Sequence, residues 1–274
     1  MDPALVVALL FGLFAATHIG LASVSIREAI VRRTGRWGFL WLFSCVAAVT
    51  FSAAVLYTSL HHREGLPGLA LGRFEVARAL LVTAIVLGSA LMAGSLADYS
   101  RSPYSARGDD VREPSGLQRV TRHGFFVGVG LLGSAHALLA TKLVGALAMG
   151  GLAFVALAGA RHQDRKLLAL RGERDAAYLA STSMLPFAAA LAGRTRIVWR
   201  ELPIGGLALG VVVAFLLRAV HPHIFDYAGL FVIAPTVGGA FLLLSVEGLA
   251  ERRRQRFEAD RREAGNDAAR GLEV

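Results

Sequence analysis

Seven stretches of this 274-residue chain are too long and too apolar to be absorbed by the core of a water-soluble fold. They run over 3–26, 38–60, 79–97, 124–141, 143–160, 204–220 and 227–250. About 20 apolar residues cross the hydrocarbon core of a bilayer. There a backbone satisfies its own hydrogen bonds only as a helix or a closed barrel, and runs of this length fit helices rather than barrel strands. The expected fold is therefore all-α, a polytopic transmembrane helical bundle of about seven spans. Hydrophobic residues make up 55% of the chain, and that excess has to face lipid. A single helix over 124–160 would run about 55 Å, far beyond the bilayer, so Lys142 marks a tight hairpin between two short spans. The first run carries Asp2 and no preceding basic residue, and it reads as a retained span rather than a cleaved leader.

The formal net charge of +9 would suggest nucleic acid in a soluble protein. Here the basic residues follow the spans. With the N-terminus outside, only Arg63, Arg73, Arg78, Lys142 and Arg218 fall on the outer side, five of the 29 Lys and Arg. Short cytoplasmic segments collect basic residues, so the expected orientation is N-out/C-in, and no nucleic-acid partner is expected. The tail 251–274 mixes both signs behind an RRRQR start and reads as a basic cytoplasmic tail. Three units follow: a six-span membrane domain over 1–226, a seventh helix over 227–250, and that tail. Membrane lipid is the expected surrounding, which in a bacterium means the inner membrane.

Two histidines lie well inside apolar runs, His18 in the first and His136 in the fourth. Measured from Arg27 and Arg122, their depths are about 13 Å and 21 Å. Both are flanked by small residues, which allow either close helix packing or room for a flat ligand. Two readings fit: histidines bonded to neighbouring helices, or two neutral imidazoles holding a metal-bearing cofactor. His123 and Arg122 sit at the mouth of the fourth run. His123 is separated from His136 by about 220° around a helix, whereas Arg122 falls within about 40° of it. Arg122 can snorkel or anchor an anionic group. Cys45, the one cysteine, cannot form an intramolecular disulfide; it is an inert thiol or an alternative ligand at the depth of His18. The pairs His61/His62 and His221/His223 read as solvated ends of spans. No nucleophile elbow, phosphate loop or paired-carboxylate motif is present.

Several segments together resemble the NnrU family of integral membrane proteins, which includes the 15-cis-zeta-carotene isomerases of plants and cyanobacteria. They are THIGLAS at 17–23 followed by Arg27, RVTRH at 119–123, AHALLA at 135–140, DRKLLALRGERDAAY with STSMLPFAAALAGR, and HPHIF at 221–225. The resemblance implies haem b ligated by membrane histidines, with His18, His123 and His136 matching the family's histidine motifs. It also implies redox-gated cis-trans isomerisation of a lipophilic polyene such as zeta-carotene. A second branch implies a non-enzymatic accessory or sensor role in nitrogen-oxide respiration (denitrification). Gly124 stands where the family has proline, and the seventh span and tail extend past the family's usual end. The hairpin is also similar to membrane methyltransferases of the isoprenylcysteine type, which bind S-adenosylmethionine; there Arg161-His162-Gln163-Asp164 stands in place of a Glu-Glu pair.

Overall fold

The computed structural model describes residues 1–99, 102–104, 113–246 and 248–249, apart from the side chain of Arg174. The tail at 251–274 lies outside the described residues. Nine α-helices, with short 3-10 turns between them, and no strand occur among them: α1 (Pro3–Leu21), α2 (Val24–His61), α3 (Glu75–Ala97), α4 (Gly124–Leu139), α5 (Leu143–Arg171), α6 (Glu173–Ser181), α7 (Ala188–Leu191), α8 (Ile204–Val220) and α9 (Asp226–Val246, its first turn 3-10). Six of them, α1, α2, α3, α5, α8 and α9, are long and apolar enough to cross a membrane. The 16-residue α4 is shorter but equally apolar in character. The chain is an integral, multi-pass helical membrane protein.

Helix ends depart from the edges of the apolar runs in two informative places. Asp2 caps α1 by accepting the Ala4 N–H at 2.8 Å, with Pro3 in the first turn, a favoured start. The helix then stops at Leu21, short of the expected 26. Ser23 opens α2, whose first part carries Arg27, Arg32 and Arg33. Gly35, at φ 71 and ψ 171, breaks that 38-residue helix before its apolar part begins. A left-handed φ favours glycine. Helix α5 does the reverse and continues eleven residues beyond the expected boundary at 160, to Arg171. The apolar run ends where lipid would end, but no breaker occurs before Gly172 (φ 56). This extension carries His162, Asp164 and Lys166.

The helices pack side by side in the order α9, α2, α1, α5, α4, α3, α8. Glycines set the closest crossings. A Cβ on Gly128 of α4 would lie 2.5 Å from the Gly88 carbonyl of α3, and one on Gly133 would lie 2.7 Å from the Met149 carbonyl of α5. Small residues let helices approach in this way where lipid supplies no hydrophobic drive. With α4 counted, the helices α1, α2, α3, α4, α5, α8 and α9 alternate in direction along the chain. One end, here called the basic end, gathers the α1–α2 turn, the 113–123 segment and 172–203, with Arg122 N–H bonded to Ser183 and Thr121 to Met184. The opposite end gathers residues 62–74 and 140–142, joined by Gly68 N–H to the Thr141 carbonyl, together with the α8–α9 turn. That turn crosses the row: His221 stacks on His136 of α4, and Phe225 on His62 of α2. The row is thereby curled around a central space.

Candidate functional site

The space enclosed is a cavity of about 1000 Å³, at the upper end of the usual range for ligand pockets. Its walls are Phe14 of α1, Phe43 and Phe51 of α2, Phe126 and Val129 of α4, Val155 of α5, and Val237 and Phe241 of α9. Alanines and glycine facing inward, among them Ala47, Ala156 and Gly159, leave the room. Apart from the hydroxyls of Ser44 and Thr236, its polar groups gather toward the basic end, among them His18, Arg27, His162, Gln163 and Lys166.

His18 sits in the last turn of α1 with its ring 5.2 Å from Phe14 and 4.8 Å from Phe43. Among the described residues its Nδ1, which is buried, has no hydrogen-bond partner, and the same is true of Nε2 of His162 on α5. An unsatisfied buried polar atom costs about 1–3 kcal/mol. Two of them, on the neighbouring helices α1 and α5, belong to residues that line one cavity. Neutral imidazole is a metal ligand. Among the described residues no three His, Cys, Asp or Glu side chains converge as a cage for a free ion. Two imidazoles with apolar walls and nearby cations suit a flat metal-bearing group carrying acids, and haem b has that chemistry.

The structure does not pair His18 with His136. Helices α1 and α4 run in opposite directions, and each histidine lies in the last turn of its own helix, so they are roughly 15–20 Å apart along the bundle. His136 Nδ1 bonds to the Leu132 carbonyl at 2.9 Å, and its ring stacks on His221, centroids 6.2 Å apart. It does not line the cavity. The depth estimate fails because α1 ends at Leu21, well before Arg27, and because α4 is only 16 residues long. Cys45 is exposed on the outer face of α2, while its neighbours Phe43, Ser44 and Ala47 face the cavity.

Arg122 and His123 are engaged elsewhere. Arg122 grips Asp164 through Nη2 at 2.7 Å and Nε at 3.1 Å, and donates to the Thr182 carbonyl. His123, with 2% of its side chain exposed, meets the other oxygen of Asp164 at 2.7 Å. Tyr104 donates to that same oxygen at 2.6 Å and lies over the His123 ring, centroids 4.6 Å apart. Burial and the adjacent Asp164 carboxylate push the Tyr104 hydroxyl well above its ordinary range. Asp164 thus ties the start of α4, residue 104 and the α6–α7 connection to α5. All three contacts fall on the one Asp164 carboxylate, which is consumed in this clamp. A smaller cavity of about 230 Å³ lies beside it, with Tyr104, Phe125 and Phe126 forming the wall common to both spaces.

Sequence reasoning found His18 and missed His162 and Lys166 as cavity residues. Their signal was the four-residue spacing on a stretch with no helix breaker from 160 to 171, which puts both on one face of a continued helix.

No curated protein and no solved structure matches this chain. The model of one family, described as NnrU protein, matches residues 5–228, from the first turn of α1 to the start of α9 and so across nearly all the helices that build the cavity. The chain belongs to the NnrU protein family.

Proposed function

We propose that this protein binds haem b in its central cavity, where His18 and His162 would hold its iron. The observation that carries this reading is the pair of buried, unpartnered imidazole nitrogens lining a single cavity of about 1000 Å³. A bound haem would supply an iron that changes oxidation state and can act on an electron-rich partner. The chain's own part is to present two neutral imidazoles, exclude water with Phe14, Phe43 and Phe126, and leave apolar space beyond the cofactor. That space suits a lipophilic chain entering from the membrane. The activity we propose is redox-gated cis-trans isomerisation of a polyene, a reaction that needs no hydrolytic acid-base pair. The concentration of basic residues supports a cytoplasmic basic end.

The test is an absorption spectrum of the detergent-purified protein, oxidised and reduced. A Soret band is expected, abolished or shifted by His18→Ala and by His162→Ala and unchanged by His136→Ala. No Soret band in the wild type overturns the reading. Catalysis is tested by comparing cis and trans carotenoid profiles in cells with and without the protein. Haem bound with an unchanged profile would favour an accessory role over an isomerase.

A further inference from the structure

Two cations at the basic end of the cavity stand without an acid. Arg27 and Lys166 both line it, both are half-buried, and neither has a carboxylate partner among the described residues. They are close enough for each to feel the other's charge. Arg27 is steadied by the Phe39 ring, its guanidinium carbon 5.6 Å from the centroid. Three other arginines at this end are matched: Arg122 with Asp164, Arg119 with Glu201, Arg171 with Asp175. A half-buried pair of like charges left unmatched is unfavourable, since each loses hydration and gains only repulsion. An anion between them reverses the sign.

Their placement says which anion. His162 and Lys166 are one helical turn apart on one face of α5, with Lys166 on the side nearer the water boundary. On the neighbouring helices, His18 ends α1 and Arg27 opens α2. Each cavity imidazole therefore has one cation beyond it, toward the basic end.

Resting on the haem reading above, we infer that Arg27 and Lys166 form a two-point carboxylate clamp that receives the two propionates of the cofactor and fixes its in-plane orientation. The role that the sequence suggested for Arg122 belongs to these residues, because Arg122 is spent on Asp164. Charge-assisted hydrogen bonds are the strong class, and each cation should change affinity about tenfold.

The test titrates full-length, haem-free protein with haem b and with its dimethyl ester, which keeps the ring and iron but lacks both acids. Wild type should prefer haem b about a hundredfold; Arg27→Gln and Lys166→Gln should each cut that preference about tenfold, and the double variant should remove it. Ester binding should not change, which also certifies that the variants fold, and Arg27→Lys with Lys166→Arg should restore the preference. Wild-type protein that binds haem b and its ester equally overturns the clamp and leaves the haem reading standing. Protein that binds neither overturns both. If the clamp serves a lipid headgroup instead, the double variant will keep its haem preference and lose bound phosphatidylglycerol from nanodiscs by phosphorus count, and the propionate assignment falls while the haem reading stands.

Discussion

Asp164 accepts hydrogen bonds from Arg122, His123 and Tyr104. Removing its charge leaves a guanidinium and an imidazole facing each other in a mostly buried setting, with 16% and 2% of their side chains exposed. Breaking such a pair costs about 3 kcal/mol. Asp164→Asn should therefore lower the thermal midpoint in detergent by about 5–10 °C, with Asp164→Glu recovering part of it; an unchanged midpoint would mean the clamp contributes nothing to stability. Tyr104 gives this cluster an alkaline limit. The folded protein holds its phenolic proton above the ordinary value of 10.0, while the unfolded chain releases it there. Above pH 10 the unfolded state binds fewer protons, so stability is intact below that point and declines as pH rises, by up to about 1.4 kcal/mol per pH unit. Tyr104→Phe should be somewhat less stable at pH 8 and lose stability less steeply between pH 9.5 and 11, measured by chemical denaturation. At this scale the sequence was only half legible. A histidine in an apolar run is visible as such, but His18 and His136 look alike until the helix ends are known, and His162 is hidden among charges.

At the scale of elements, apolar length predicted the helices well because lipid thickness sets it: among the described residues each of the seven runs falls on a helix, six of them long and apolar enough to cross a membrane. It predicted helix ends poorly, since a helix obeys its own breakers. Gly35 and Gly172, both at positive φ, and the Ala22–Ser23 turn decide where α1, α2 and α5 start and stop, and hence what reaches the cavity. The glycines of α3 and α4 were equally visible in the sequence, but which of them face each other was not, because partner choice depends on the packing order. Gly128 lies against Gly88 and Met92 of α3. Gly128→Leu cannot be accommodated by moving a flexible side chain, because the obstacle is backbone. Forcing the two helices apart should cost at least about 1–3 kcal/mol, seen as a lower midpoint and reduced monodisperse yield. Gly12→Leu on α1, where nothing lies within 4 Å, is the control and should behave as wild type.

For the whole molecule, the helix beyond the family match changes what the rest encloses. The match ends at residue 228, yet Val232, Thr236, Val237, Ala240 and Phe241 of α9 form one wall of the cavity. Held to α2 by Trp41 stacking on Phe241, ring centroids 5.6 Å apart, α9 adds a wall to the cavity that α2 and α4 also line. Its apolar sequence announced a seventh helix, but nothing in that sequence said that one face lines a site, because lipid and an apolar cavity select the same residues. This makes α9 the place to test whether the cavity is occupied without touching any proposed ligand. Val237→Trp adds an indole to the cavity wall and should weaken haem binding about ten- to hundredfold, the equivalent of about 1–3 kcal/mol of overpacking. The matched control is Leu243→Trp, at a position exposed on the same helix and absent from the cavity lining, which should leave the Soret intensity per protein at the wild-type level. Equal haem content in the two variants, both eluting as monodisperse protein, would show that the cofactor does not sit against α9 and would move it out of this cavity.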